Sequence, residues 1–192
     1  MLKNATIDNV LAERFDKVIL ATGSHPIIPP IPGVKDNPNV LLAPDVMKGK
    51  EKFGKDVVVI GGGLVGCECA AYCAETADRV TIIEMCDDIL TTVVHAANND
   101  MALRCMLAER KIEMICGATV SEIKEHEVNY TKDGVIKTLK ADTVIISAGM
   151  EPNNELFKTL SENIDVDIIG DASSPGKIID AVHQGFHIAN NI

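Results

Sequence analysis

Between residues 57 and 84 the chain reads Val57-Val58-Val59-Ile60-Gly61-Gly62-Gly63-Leu64-Val65-Gly66-Cys67-Glu68, crosses a proline-free stretch, and arrives at Val80-Thr81-Ile82-Ile83-Glu84. Few patterns constrain a fold as tightly. The two runs rich in β-branched residues are buried strands, the glycines sit where the first strand gives way to a helix, and Glu84 follows Gly66 by 18 residues. Strand, glycine turn, helix, strand and acid, in that order, hold the pyrophosphate and adenosine ribose of a dinucleotide.

Each residue of the turn has its own task. Gly61 lets the chain leave the strand sharply, Gly63 has no Cβ to keep a phosphate from the backbone, and Gly66 lets the helix pack closely on the sheet. Gly62 lies within the same turn. Leu64 and Val65 open the helix, whose unpaired N–H groups and positive dipole end face the pyrophosphate. Glu84 accepts from ribose hydroxyls and repels a 2′-phosphate, and Met85, Cys86, Asp87 and Asp88 supply no cation to reverse that. NAD(H) is therefore expected over NADP(H), the alternative for Glu84 being a solvated carboxylate at a strand end.

The length of 192 residues and 46% apolar content suffice for a buried core. A net charge of −10 argues against a nucleic-acid surface or an anionic membrane as partner. Two Asn-x-Thr triplets begin at Asn4 and Asn129, but no signal peptide or membrane-length apolar run accompanies them, so the expected location is the cytoplasm. None of the six cysteines forms Cys-x-x-Cys. Cys69 and Cys73 share a helix face while Cys67 points elsewhere, which suits buried thiols in a reducing compartment better than convergent metal ligands. His183 and His187 also stand four apart, but without a zinc-type motif they read as solvated or cofactor-adjacent side chains.

Six of the eight prolines fall between His25 and Pro44, marking an extended linker. A strand is expected over 15–23 before it and a short helix over 45–50 after it. Beyond Glu84 come a connection, a helix over 98–110, a third parallel strand over 111–116, and a β-meander over 119–139 with Asp133-Gly134 at a turn. A strand over 143–146, a helix over 154–161, a strand over 166–169 and a helix over 177–191 complete the pattern. Ala21-Thr22-Gly23 and Ser147-Ala148-Gly149 both end strands in small residues and bracket a self-sufficient nucleotide-binding unit. The fold class is α/β: a Rossmann-like, doubly wound parallel sheet with an inserted β-meander, plus remnants of a second, FAD-type dinucleotide-binding domain. The boundaries are 1–24 and 147–192 for the partial FAD-type domain, 25–54 for the linker and short helix, and 55–146 for the NAD-binding domain.

On Ala21-Thr22-Gly23, Pro30-Ile31-Pro32-Gly33, Gly61 to Glu68, Ser147-Ala148-Gly149 and Gly170-Asp171, the chain resembles flavoproteins in which an NAD domain is inserted into an FAD domain. Within that group the tail from Ile169 to Phe186 is most similar to the C-terminal region of NADH:flavin oxidoreductases related to 2-enoate reductase and 2,4-dienoyl-CoA reductase. The resemblance implies that Asp171 binds a ribityl hydroxyl of FAD, that Glu68 sits near the nicotinamide half of NAD, and that Gly149 lets the dinucleotide lie against the backbone. Thr22, Gly23 and Gly170 are matching positions of the flavin part. Read without the resemblance, Asp171 is a helix or turn cap.

Full-length members begin with a barrel domain that binds FMN and reduces an activated C=C bond, followed by cysteines for a 4Fe–4S centre, and neither is present in these residues. The FAD domain's own glycine turn would precede Met1. The resemblance thus implies a fragment of a larger oxidoreductase, partnered by an upstream barrel, with NAD(H) bound and an incomplete FAD site. Hydride would pass from nicotinamide to flavin without any acid, base or nucleophile of this chain, so no catalytic residue is expected and the isolated chain is expected to be inactive. Two other readings stand beside it: an NADH-dependent reductase of a disulfide or protein partner, and a non-enzymatic NAD(H)-sensing module.

Overall fold

The computed structural model describes residues 4–91 and 97–192. In chain order the elements are helix α1 (Ile7–Ala12), strands β1 (Val18–Leu20), β2 (Ser24–Pro26) and β3 (Val40–Leu42), helix α2 (Ala43–Met47), strand β4 (Asp56–Ile60), helix α3 (Leu64–Cys73) and strand β5 (Arg79–Ile83). Helix α4 (Ala97–Glu109) precedes strands β6 (Glu113–Ile115), β7 (Ala118–Ile123), β8 (Glu127–Lys132), β9 (Val135–Lys140) and β10 (Thr143–Ile146). Strand β11 (Met150–Pro152), helix α5 (Glu155–Leu160), strand β12 (Val166–Ile168) and helix α6 (Ile178–Ala189) follow. They form two units: an inner one, Pro26–Gly149, and an outer one of the residues up to His25 and from Met150 onward.

The inner unit is built on a parallel sheet of order β3-β10-β4-β5-β6. Its central strands β4, β5 and β10 read as near-continuous apolar runs because both faces are covered. Alternation then sorts their side chains. Val57, Val59, Val80, Ile82 and Ile145 pack with residues of α2, α3 and α4, including Val46, Ala70 and Leu107. Val58, Ile60, Ile83, Val144 and Ile146 face the other way, onto Val120, Ile123, Val128 and Tyr130 of the meander. Helices thus cover one face and an antiparallel sheet, β7-β8-β9, covers the second. At the β8–β9 turn Asp133 and Gly134 both take positive φ, +52° and +73°, the backbone of a tight hairpin.

Strand β5 lies on one side of β4 and β10 on the other. Open α/β sheets bind ligands outside the carboxyl ends of the strands at such a reversal of direction, here the ends of β4 and β10. The stretch expected as linker and short helix does more than connect. Val40–Leu42 pairs with Val144–Ile146 as the edge of the sheet. The helix lies at Ala43–Met47, two residues earlier than expected, because Pro44 is acceptable in a first helical turn. Of the connection expected after Glu84, residues 92–96 lie outside the described residues.

In the outer unit β1 and β12 pair in parallel, Val18 beside Val166, and β2 pairs with β11. The strand expected over 15–23 is confined to Val18–Leu20. Helix α6 is amphipathic, begins with the Asp180 carboxylate accepting from the Lys177 N–H at 2.8 Å, and has no buried residue.

Candidate functional site

At the end of β4 the chain turns through Gly61, whose φ is +109°. The Gly61 N–H donates to the Ile83 carbonyl at 2.9 Å, and the Ser147 N–H to the Ile60 carbonyl at 2.8 Å, so the turn is fixed to both neighbouring strands. A Cβ at Gly61 would collide with the Ser147 carbonyl, and one at Gly66 with the Gly61 carbonyl. Helix, turn and β10 are therefore as close as backbones allow. At Gly63 the opposite holds. A Cβ there would meet nothing within 4 Å, and no side chain caps the start of α3. The first-turn N–H groups of Leu64, Val65 and Gly66 are therefore left without a side-chain cap, at the positive end of a ten-residue helix and next to the open space at Gly63.

Glu84 lies beside this opening, half-buried, with both oxygens engaged. Oε2 accepts from the Gly62 N–H at 2.5 Å and Oε1 from the Cys86 N–H at 2.7 Å. A carboxylate offers about four lone-pair sites, so it keeps acceptor capacity for a hydroxyl. The arrangement fits the adenosine and pyrophosphate of a dinucleotide: open backbone donors for phosphate, an acceptor for the sugar, and no cation among residues 85–88 to favour a 2′-phosphate. Glu68 is exposed one helical turn along α3. Gly149 follows β10 with φ +104°, its carbonyl accepting from the Ile27 N–H at 3.0 Å.

Residues that the sequence did not single out complete the surroundings. The Ile89 Cγ2 would stand 2.8 Å from a Cβ on Gly62, and the Leu90 N–H donates to the Gly62 carbonyl at 2.8 Å. Arg104 of α4 reaches Asp88 through two nitrogens, each at 3.0 Å, the Ile89 carbonyl at 2.7 Å, and Asp100 at 3.0 Å. This guanidinium holds the Asp88 carboxyl below its ordinary range, and Asp88 in turn raises Arg104. Asp88 gives no motif to recognise, and Arg104 reads as one of many charges on a surface helix.

All three cysteines of α3 are buried. Burial pushes the Cys67 thiol up to about 12, and its Sγ donates to the Gly62 carbonyl at 3.4 Å. A hydrogen bond between Cys69 and Cys73 lowers the first and raises the second.

The flavin-part residues gather separately, in the outer unit. The Thr22 hydroxyl donates to the Asn153 carbonyl at 2.5 Å, and the Asn153 N–H to the Gly23 carbonyl at 2.9 Å. Asp171 accepts from Ser24 Oγ at 3.2 Å and from the Gly176 N–H at 3.1 Å, and Gly170, with φ +63°, donates to Gln184 Oε1 at 2.6 Å. Asp171 thus caps a turn and keeps part of its acceptor capacity.

Three comparisons bear on this geometry. An NADH oxidase from Thermoanaerobacter brockii is 44% identical over 191 residues, covering 96% of this chain and 29% of that protein. A cinnamate reductase from Clostridium sporogenes is 31% identical over 192 residues, covering 98% of this chain and 28% of that protein. Among solved structures, a 2-naphthoyl-CoA reductase bound to 2-naphthoyl-CoA superposes with a TM-score of 0.84 at 32% identity, over 95% of this chain and 28% of that one. The chain spans less than a third of the length of each. The family model described as pyridine nucleotide-disulphide oxidoreductase matches residues 2–173. With a Rossmann-like parallel sheet and a glycine turn opening a helix at its switch point, the chain belongs to the pyridine nucleotide-disulphide oxidoreductase family, flavoproteins that bind NAD(H) and FAD.

Proposed function

We propose that the inner unit is the NAD(H)-binding portion of a flavin-dependent oxidoreductase in which hydride passes from NADH to FAD. The observation that carries this reading is the uncapped start of α3 over the opening at Gly63, with Glu84 beside it. The Leu64, Val65 and Gly66 N–H groups take the pyrophosphate, and Glu84 takes the adenosine ribose. Glu68 and Gly149 stand toward the nicotinamide half. Thr22, Gly23, Gly170 and Asp171 contribute to a flavin site that further polypeptide completes. When bound, the two cofactors supply the hydride donor and acceptor; the chain supplies position and charge.

The whole enzyme, in this reading, carries an upstream barrel with FMN and a 4Fe–4S centre and reduces a C=C bond activated by a carboxylate or thioester. The names of the cinnamate and 2-naphthoyl-CoA reductases favour such a substrate. The family's name favours a second reading, reduction of a disulfide partner. The burial of Cys67, Cys69 and Cys73 speaks against a dithiol formed by the cysteines of α3 in that role.

The experiment is to measure flavin absorbance of the purified chain and then follow NADH fluorescence on titration. Saturable NADH binding with far less than one equivalent of flavin is expected. Flavin retained near one equivalent would contradict the incomplete FAD site, and absence of NADH binding would contradict the proposal as a whole.

A further inference from the structure

Gly62 is held from both of its peptide groups. Its N–H is held by Glu84 at 2.5 Å, and its carbonyl receives the Leu90 N–H at 2.8 Å and the Cys67 thiol at 3.4 Å. The segment that supplies Leu90 is not relaxed on its own account: Leu90 takes φ +62°, a left-handed conformation unfavourable for a residue with a branched side chain. Something must hold the 85–91 turn down. The Cys86 end is tied by its N–H to Glu84 Oε1 and by the Gly117 N–H to its carbonyl, each at 2.7 Å, and Ile89 and Leu90 are buried; at Asp88 and Ile89 the tie is Arg104, whose guanidinium spans Asp88 and the Ile89 carbonyl while its Nε is steadied by Asp100 one helical turn back.

The geometry points to Arg104 as a positioning residue for dinucleotide binding: it locks the 85–91 turn over Gly62 and so presets the phosphate-binding loop. This rests on the NAD(H) reading and goes beyond it. Four of the five N–H donors of Arg104 go to Asp88, Ile89 and Asp100, so its role is assigned through the turn.

An exposed ion pair by itself contributes little. Here the Asp88 contact uses both carboxylate oxygens and is joined by a backbone carbonyl and a second carboxylate, the circumstances in which such contacts fix geometry. The benefit falls on binding. A loop already in its bound form loses less freedom when the pyrophosphate arrives.

The test is calorimetric titration of the whole chain with NADH and with ADP-ribose, for wild type, Arg104→Ala and Arg104→Lys, together with amide hydrogen exchange in the absence of ligand. Arg104→Ala is expected to bind both ligands about tenfold more weakly, and Arg104→Lys to recover part of the loss. Its Gly62 and Leu90 amides are expected to exchange about tenfold faster, while those of Val58 and Ile82 keep their protection. Equal affinities, unchanged exchange at Gly62 and Leu90, or exchange that quickens across the whole sheet would overturn the assignment and leave the NAD(H) reading standing. Wild-type protein that takes up neither ligand would overturn both. Should Arg104→Ala not fold, Asp88→Asn beside Arg104→Lys gives the same comparison with the same outcomes.

Discussion

Glu84 Oε2 receives the backbone N–H of Gly62 at 2.5 Å, joining the end of β5 to the middle of the glycine turn that follows β4. The acid expected to recognise a sugar is therefore also part of the loop's own framework. Replacing Glu84 by Ala leaves two backbone donors, at Gly62 and Cys86, without their acceptor, a loss worth about 1–3 kcal/mol where the groups stay buried. Glu84→Ala is expected to melt earlier, to bind NADH at least about tenfold more weakly, and to narrow the gap between NADH and NADPH. Thermal melting and titration with both nucleotides check this. A variant that binds NADH like wild type would remove Glu84 from the site.

The glycines separate folding from binding. At Gly66 a Cβ has no room against the Gly61 carbonyl, so Gly66→Ala is expected to destabilise the inner unit by about 1–3 kcal/mol, read by denaturant melts. At Gly63 a Cβ enters open space, so Gly63→Ala is expected to shift stability by less than about 1 kcal/mol while weakening NADH binding at least about tenfold. Unimpaired binding by folded Gly63→Ala would show that the phosphates lie elsewhere.

The Asp88–Arg104 contact should leave a signature in acid. Arg104 lowers the folded-state pKa of Asp88 below its ordinary value of 3.8. A depressed carboxylate stabilises the fold above its unfolded pKa, and the contribution fades as pH falls through the lower, folded value. The melting temperature of wild type is therefore expected to exceed that of Asp88→Asn at neutral pH, with the difference closing below about pH 4. A difference that persists at the lowest pH where both fold would show that the ion pair is not its source.

Thiol chemistry offers a test of packing. Cys105 is exposed, whereas burial, with a smaller contribution from Glu84's charge, holds Cys67 at about 12. Iodoacetamide at pH 8 is expected to modify Cys105 first and to reach Cys67, Cys69 and Cys73 only as the protein unfolds, read by peptide mass spectrometry. Rapid modification of Cys67 in the native protein would contradict the packing of α3 on the sheet.

What sequence reveals here follows the range of the interactions. Strands β4 and β5 are legible because burial on both faces forces unbroken apolar runs, and α3 because glycines and β-branched residues change places at its start. Strand β3 is not. Three residues among prolines become an edge strand by pairing with Val144–Ile146, about a hundred positions later, which no local pattern announces. The same divide runs through the candidate site. Gly61, Gly63, Gly66 and Glu84 announce themselves by spacing and meet at one end of β4. Arg104, Asp88 and Leu90 matter only because α4 lies where it can reach the turn after β5, and a charged residue on a helix carries no trace of that.

The central claim is tested most directly by calorimetric titration of the wild-type chain with NADH and NADPH under identical conditions. One NADH per chain, bound at least about tenfold more tightly than NADPH, is the expected result. No heat from either nucleotide, or a preference for NADPH, would contradict the assignment of the Gly61–Gly66 turn and Glu84 as an NAD(H) site.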